Sequence, residues 1–225
     1  MARYLIIGAG RFGQLAWQRL RAKDQHAQFC VVDHNPNQLA RLPCHAATRT
    51  VLAAGPEYLV QVLAEQTWPD WIIPAAPVHL AFAWLLLTLP PVERWQQLPV
   101  PLELGQNLPF VQRGPAGEVY LSLATGRCPD DCPEPAGWCS LTGEPRIGNL
   151  YDMLAQRQIT GYQVQVLRSR QLAPGVGGYR PLDLVHFREE ALRPKGKLIL
   201  CTACRCHGVC HGVQRLTGRE PEVGI

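Results

Sequence analysis

Residues 4–13 read Tyr-Leu-Ile-Ile-Gly-Ala-Gly-Arg-Phe-Gly, a short apolar run that leads directly into a G-x-G-x-x-G turn. A helical pattern follows, and a second apolar run, Phe29-Cys30-Val31-Val32, ends on Asp33, 20 residues after Gly13. This order of strand, glycine-rich turn, helix, strand and acidic residue is the pattern of a dinucleotide-binding βαβ unit. The stretch therefore predicts a Rossmann-like parallel sheet in the first part of the chain.

Each position in this pattern has a physical role. The first glycine permits the tight turn, the second lets a pyrophosphate approach the backbone, and the third lets the helix pack on the sheet. The phosphates would lie at the helix N-terminus, where free N–H groups point outward. The acidic residue would accept hydrogen bonds from ribose hydroxyls and would repel a 2′-phosphate, which favours NAD(H) over NADP(H). The predicted cofactor-binding residues are Gly8, Gly10, Arg11, Phe12, Gly13 and Asp33.

The composition and charge of the chain limit the kinds of binding partner that we expect. The chain has 225 residues, 18% of them charged, and a formal net charge of +4 without a basic run, so a nucleic-acid surface is not expected. It opens directly into a strand, without a secretory signal. Its longest apolar run, near residues 81–87, is too short to span a membrane. We therefore expect a cytoplasmic protein without a membrane span, and leave a homodimer open.

Residues 1–89 alternate strand and helix patterns, including a late strand that ends in Pro74-Ala75-Ala76. Together with the glycine-rich turn and the run from Val31 to Asn37, this late strand resembles the TrkA-N or RCK-type domain of potassium-uptake regulators. It is similar, less specifically, to saccharopine-dehydrogenase-type Rossmann domains. The resemblance covers residues 1–90 and implies nucleotide binding at the three glycines and Asp33. It does not imply potassium transport, because nothing after residue 90 resembles the regulatory domain of that family.

The second half predicts a separate domain. Residues 90–117 are rich in proline and are interpreted as a linker, which leaves residues 118–225 as a cysteine-rich domain. Strand patterns at 119–124, 162–167 and 197–200 alternate with helical patterns, so the fold class is α/β with a second, smaller cysteine-rich α/β domain. Right-handed crossovers would make these three strands parallel. The loops that follow them would then meet at one edge of the sheet, where α/β proteins bind ligands.

The chain contains nine cysteines, and a disulfide framework is not expected in a cytoplasmic protein. Cys30 and Cys44 are interpreted as ordinary small residues. The other seven cysteines fall into two groups, each of which follows a predicted strand. The predicted metal ligands are Cys128, Cys132, Cys139, Cys201, Cys204, Cys206 and Cys210.

Several centres are compatible with these cysteines. Four thiolates would hold a [4Fe–4S] cluster, which is our first hypothesis. Zinc is the main alternative, because Cys201-x-x-Cys204 has a normal zinc spacing and His207 or His211 would complete a Cys/His set. The same two cysteines would also serve as a redox dithiol. A c-type haem is not expected, because the chain has no C-x-x-C-H motif.

The leading functional hypothesis is an NAD(H)-binding redox protein with an iron–sulfur centre. NADH gives up two electrons together and a cluster accepts one, so a flavin or a partner protein would have to mediate. The first alternative is a TrkA-N-like nucleotide-sensing module with a structural zinc site and a regulatory partner. The second is a metal-independent NAD-dependent dehydrogenase whose substrate lies between the two halves. No catalytic residue is predicted, and His79 is interpreted as a helix-terminus residue.

Overall fold

The computed structural model describes residues 1–90, 94–193 and 196–216. Within these residues the chain forms two α/β halves, each built on its own main sheet, as the sequence predicts. No helix in the described ranges is both long enough and apolar enough to cross a membrane. Residues 91–93 of the predicted linker and residues 217–225 of the predicted second domain lie outside the described residues.

The first half contains a four-stranded parallel sheet in the order β3-β2-β1-β4. Its elements are β1 (Arg3–Ile7), α1 (Arg11–Lys23), β2 (Gln28–Asp33), α2 (Pro36–Leu39), β3 (Thr48–Leu52), α3 (Gly55–Ala64), β4 (Trp71–Pro74) and α4 (Leu80–Leu87). The third strand is short and lies at the edge of this sheet. The β-branched residues Thr48, Thr50 and Val51 pair with β2 there, and such side chains favour a strand.

The second half is built on a six-stranded mixed sheet in which β6, β7, β12, β11 and β8 follow one another and β5 also pairs with β12. Its strands are β5 (Arg94–Leu98), β6 (Phe110–Arg113), β7 (Val119–Ser122), β8 (Tyr162–Arg168), β11 (Lys197–Ala203) and β12 (His207–Leu216). Between them lie a hairpin of β9 (Arg170–Ala173) and β10 (Val176–Gly178), and two helices, α5 (Leu150–Ala155) and α6 (Pro181–Leu192).

The three predicted strands of the second half run parallel, as expected, but a strand that was not predicted lies among them. β12 lies between β7 and β11 and runs antiparallel to both. Its sequence predicts a strand poorly, since it contains two glycines and two histidines, and pairing with strands on both sides stabilises it instead. β7, β8 and β11 nevertheless run in one direction, so the loops after them do meet at one edge.

The predicted linker is part of the second sheet. Residues 90–117 contribute β5, β6 and a short 3₁₀ helix, Leu102–Gly105. The prolines stand at the ends of these elements: Pro99 directly follows β5 and Pro109 directly precedes β6. Because proline cannot donate to a strand ladder, it is found at such ends, and a high proline content alone did not distinguish short strands from a connection.

One hydrophobic core joins the two halves. It contains Leu5 and Ile7 of β1, several residues of α4, Phe187 of α6 and Leu198 of β11. These side chains are almost completely buried. The shared core therefore holds the carboxyl edges of the two sheets beside each other.

Candidate functional site

The glycine-rich loop contains two glycines that the fold requires and one that it does not. Gly8 has a φ of +106°, and a Cβ there would lie 2.7 Å from the backbone nitrogen of Ala76. A Cβ on Gly13 would lie 1.9 Å from the carbonyl oxygen of Gly8. Among the residues that the structure describes, no atom lies within 4 Å of a Cβ on Gly10. The absence of a side chain at Gly10 thus leaves open space beside the N-terminus of α1.

Asp33 ends β2 with its carboxylate against this loop. The carboxylate accepts hydrogen bonds from the backbone N–H of Ala9, at 2.7 Å, and of Asn35, at 2.8 Å. Its side chain is only 10% exposed. A carboxylate oxygen has more than one acceptor position, so both oxygens retain the capacity to accept a hydroxyl. Asp33 therefore orders the glycine-rich loop and still offers acceptors beside it.

A cleft of about 980 Å³ lies at the carboxyl edges of both sheets. From the first half it is lined by Phe12 at the start of α1 and Pro74 at the end of β4. From the second half it is lined by Ser122, Thr202 and Cys206, among others. Carboxyl edges of this kind are where open α/β sheets bind their ligands.

Basic side chains of α1 connect the glycine-rich end of the chain to the loops of the second half. Arg11, a predicted cofactor-binding residue, forms an ion pair with Asp130. Arg19 donates from Nη1 to the carbonyl oxygens of Asp130, at 2.6 Å, and of Pro174, at 2.9 Å. Lys23 donates to the carbonyl oxygen of Leu172 at 2.7 Å. The loop that carries the first cysteine group is thereby held against α1.

Cys128, Cys132 and Cys206, which come from the two cysteine groups, line the second-half end of the cleft, and Cys139 lies within electrostatic reach of Cys128. Burial raises the pKa of Cys128, and the nearby thiols of Cys132, Cys206 and Cys139 raise it further. The guanidinium of Arg146 contacts the sulfur of Cys206 and lowers the pKa of that thiol against the larger effect of burial, which raises it. The guanidinium therefore places positive charge beside Cys206.

Backbone N–H groups point at two of these sulfurs. Cys132 Sγ accepts from the N–H of Glu134 at 3.4 Å. Hydrogen bonds from the backbone of Thr142 and Leu141 lower the pKa of Cys139. Such bonds stabilise a thiolate. In the described part of the chain, however, no three Cys, His, Asp or Glu side chains lie close enough together to hold a metal ion as they stand.

Cys204 has a different environment from these four thiols. It accepts from the backbone N–H of Cys206, at 3.4 Å, and of His207, at 3.3 Å. Burial raises the pKa of the Cys204 thiol to about 12, with a further contribution from Glu134. The Cys204 thiol is therefore protonated at physiological pH when no metal ion is bound.

Cys201 and Cys210 do not belong to the thiol group. They face each other across β11 and β12, are completely buried and are joined as a disulfide. Neither sulfur can supply a thiolate while that bond exists, which corrects the prediction that both are metal ligands. The expectation that no disulfide forms is corrected at the same time. The two cysteines come together because they occupy opposite positions in an antiparallel pair, and the sequence analysis did not predict β12.

A second polar group, which no sequence motif indicates, adjoins the cleft. Thr202, which lines the cleft, lies 2.8 Å from His79 Nε2 through its Oγ1. His79 Nδ1 lies 2.9 Å from His211 Nδ1. The ring of Phe82 stacks on His211 with centroids 4.2 Å apart. Burial, followed by the proximity of His211, lowers the pKa of His79 to about 3, so its imidazole is neutral at physiological pH.

Comparison with known proteins places the second half in a family. Residues 81–216 match a family model described as "Uncharacterized protein, C-terminal domain". The chain belongs to this AF_1314_C family. A protein of Archaeoglobus fulgidus, described as "Uncharacterized protein", is 27% identical over 224 residues, which cover 94% of this chain and 99% of that relative.

The AF_1314_C domain begins inside α4, before the predicted linker, and ends with β12. It supplies the four thiols, Thr202 and His211. The glycine-rich loop and His79 come from the residues before it. The cleft is therefore built jointly by the family domain and the first half.

Proposed function

We propose that the chain is an NAD(H)-binding redox protein. The observation that carries the proposal is the open space at Gly10, which lies beside the N-terminus of α1 and near the carboxylate of Asp33. The fold does not need a glycine at position 10, where a pyrophosphate would approach the backbone. Ligand binding would account for the glycine there. The resemblance of residues 1–90 to TrkA-N domains supports the same proposal.

The residues of the first half suit a dinucleotide. The free N–H groups at the start of α1 would receive the pyrophosphate, and Arg11 would add positive charge. Asp33 would accept from the ribose and disfavour a 2′-phosphate. A bound NAD(H) would supply hydride transfer in the cleft. Phe12, which is 54% exposed and lines the cleft, would cover the cofactor.

At the other end of the cleft, Cys128, Cys132, Cys139 and Cys206 would hold an iron–sulfur centre. Thiols are the donors that such a centre takes, Arg146 contacts one of the four sulfurs, and backbone N–H groups point at two of them. The sulfurs would have to move closer together to ligate a metal ion. Because such a centre accepts single electrons, the proposal includes a flavin or a redox partner protein.

Replacing Gly10 by valine tests the nucleotide site. We expect the Gly10→Val protein to fold, because nothing lies within 4 Å of a Cβ there, but to bind NADH at least about tenfold more weakly. The measurement is a fluorescence titration with NADH and NADPH, in which NADPH should bind more weakly to the unchanged protein. Gly137→Val is the matched control, since a Cβ at Gly137 also meets nothing within 4 Å. Equal NADH affinity in the two variants would contradict the proposal.

Metal analysis and visible absorption of protein purified without air test the second centre. We expect stoichiometric iron and broad visible absorption in the unchanged protein, both lost in Cys128→Ser and in Cys206→Ser. Cys44→Ser, an exposed free cysteine outside the cleft, should retain both. A colourless protein with stoichiometric zinc would overturn the redox centre.

That zinc result would favour a nucleotide-sensing module instead. The specific observation behind this second candidate is the link from α1 to the first cysteine loop through Arg11 and Asp130. A phosphate bound at the N-terminus of α1 would compete with Asp130 for the guanidinium of Arg11. Nucleotide binding would then change the contact between α1 and a zinc-stabilised domain. That domain would transmit the change to a regulatory partner.

A further inference from the structure

We propose that Thr202, His79 and His211 form a proton relay that opens into the cleft and serves hydride transfer between NAD(H) and an alcohol or carbonyl substrate. The inference rests on the proposed NAD(H) binding and adds to it a substrate class and an acid–base group. Thr202 is the catalytic residue, because it lines the cleft and its hydroxyl contacts His79. The two histidines are positioning residues that act through it.

The three side chains form one continuous hydrogen-bonded chain. The hydroxyl of Thr202 lies 2.8 Å from His79 Nε2. The other ring nitrogen of His79, Nδ1, lies 2.9 Å from His211 Nδ1. Phe82 stacks on His211 and lies beside His79, which holds both rings in place. This is the arrangement of a hydroxyl, a base and a group that orients the base.

The relay works with neutral rings. A neutral imidazole has one N–H donor and one acceptor nitrogen, so the chain can point its protons towards the cleft or away from it. Burial and the neighbouring histidine keep His79 uncharged, as its low pKa indicates. A proton that enters at one end can therefore displace another at the far end without creating a buried cation. His211 is partly exposed, which provides the outer end.

The proton balance of an alcohol oxidation illustrates the step. The C–H bond of the substrate breaks and its hydride, with two electrons, passes to NAD⁺, while a carbonyl double bond forms. The O–H proton of the substrate passes to Thr202 Oγ1 as the proton of Thr202 moves to His79 Nε2. The Nδ1 proton of His79 passes to His211 Nδ1, and the Nε2 proton of His211 leaves to water. The products are the carbonyl compound, NADH and one proton.

The relay itself is tested by NMR on the full chain labelled with ¹⁵N-histidine, at neutral pH and without added nucleotide. We expect neutral ring patterns for His79 and His211 and a scalar coupling across their Nδ1 atoms. Thr202→Val removes the hydroxyl at nearly constant shape and should shift the ring signals of both histidines. Thr125→Val, at another threonine that lines the cleft, should shift neither. A charged His79, a missing coupling, or rings unaffected by Thr202→Val would overturn the relay.

A kinetic arm tests the reaction. With NAD⁺ and a panel of short primary and secondary alcohols, Thr202→Val should lower kcat about 100-fold while leaving the Kd for NADH unchanged. Equal kcat in both proteins, or no oxidation of any alcohol despite NADH binding, would overturn the proposed role. A protein that fails to bind NADH would refute the proposed function instead, and the titration detects this separately from the NMR result.

Discussion

Replacing Gly13 by alanine is expected to lower the free energy of unfolding by about 3 kcal/mol or more. The added Cβ would lie 1.9 Å from the carbonyl oxygen of Gly8, a backbone atom that cannot rotate away. Gly8 is itself held by the carbonyl of Val32, to which its N–H donates at 2.7 Å. To make room, α1 would have to move away from the sheet, which would disturb the apolar contacts of Trp17 and Leu20.

Gly10→Ala is the matched control for this experiment, because both glycines belong to the same turn. Gly10→Ala should lower the free energy of unfolding by about 1 kcal/mol or less. No described atom lies within 4 Å of the added Cβ, and alanine caps a helix N-terminus less well than glycine. Urea unfolding followed by circular dichroism measures both changes. If the two variants lost similar stability, the close approach of α1 to the glycine-rich turn would be refuted.

Lowering the pH is expected to destabilise the protein through His79. Its pKa is about 3 in the folded state and about 6.5 in an unfolded chain, so the unfolded state binds the proton more readily between these values. Stability is therefore greatest above the unfolded pKa and falls as the pH decreases below it. At about pH 5 the loss from this one group amounts to about 2 kcal/mol relative to neutral pH.

Comparing the unchanged protein with His79→Gln isolates this loss, because glutamine does not titrate. Urea unfolding at neutral pH and at about pH 5 should show the unchanged protein losing about 2 kcal/mol more than the variant. His26→Gln, at an exposed histidine, should behave like the unchanged protein. The pKa of His211 is lowered in the same direction by burial, so some pH dependence should remain in His79→Gln. Identical pH profiles for the unchanged protein and His79→Gln would show that the His79 imidazole is not desolvated.

The sequence predicted some residues of the candidate site and not others. The cysteines of the first group and Cys206 could be named from their positions after apolar runs, and three of them, Cys128, Cys132 and Cys206, line the cleft. Choosing these cysteines from the seven predicted ligands required the fold. In the sequence Cys210 looks as suitable as Cys206, but the pairing of β12 with β11 places Cys210 opposite Cys201. His79 was passed over because nothing near it in the sequence suggests an acid–base role.

By itself, the sequence determined the first βαβ unit, since the glycines, the apolar runs and Asp33 form one recognisable pattern within the first 33 residues. Tertiary structure alone decided the rest of the cleft. His79 meets His211 and Thr202 across 132 and 123 residues, and Arg11 meets Asp130 across 119. Such contacts leave no periodic signal in the chain, because they depend on the order and direction of strands that pair over long distances. β12 in particular is stabilised by its pairing with neighbouring strands. Its position places Cys210 opposite Cys201 and determines where His211 lies.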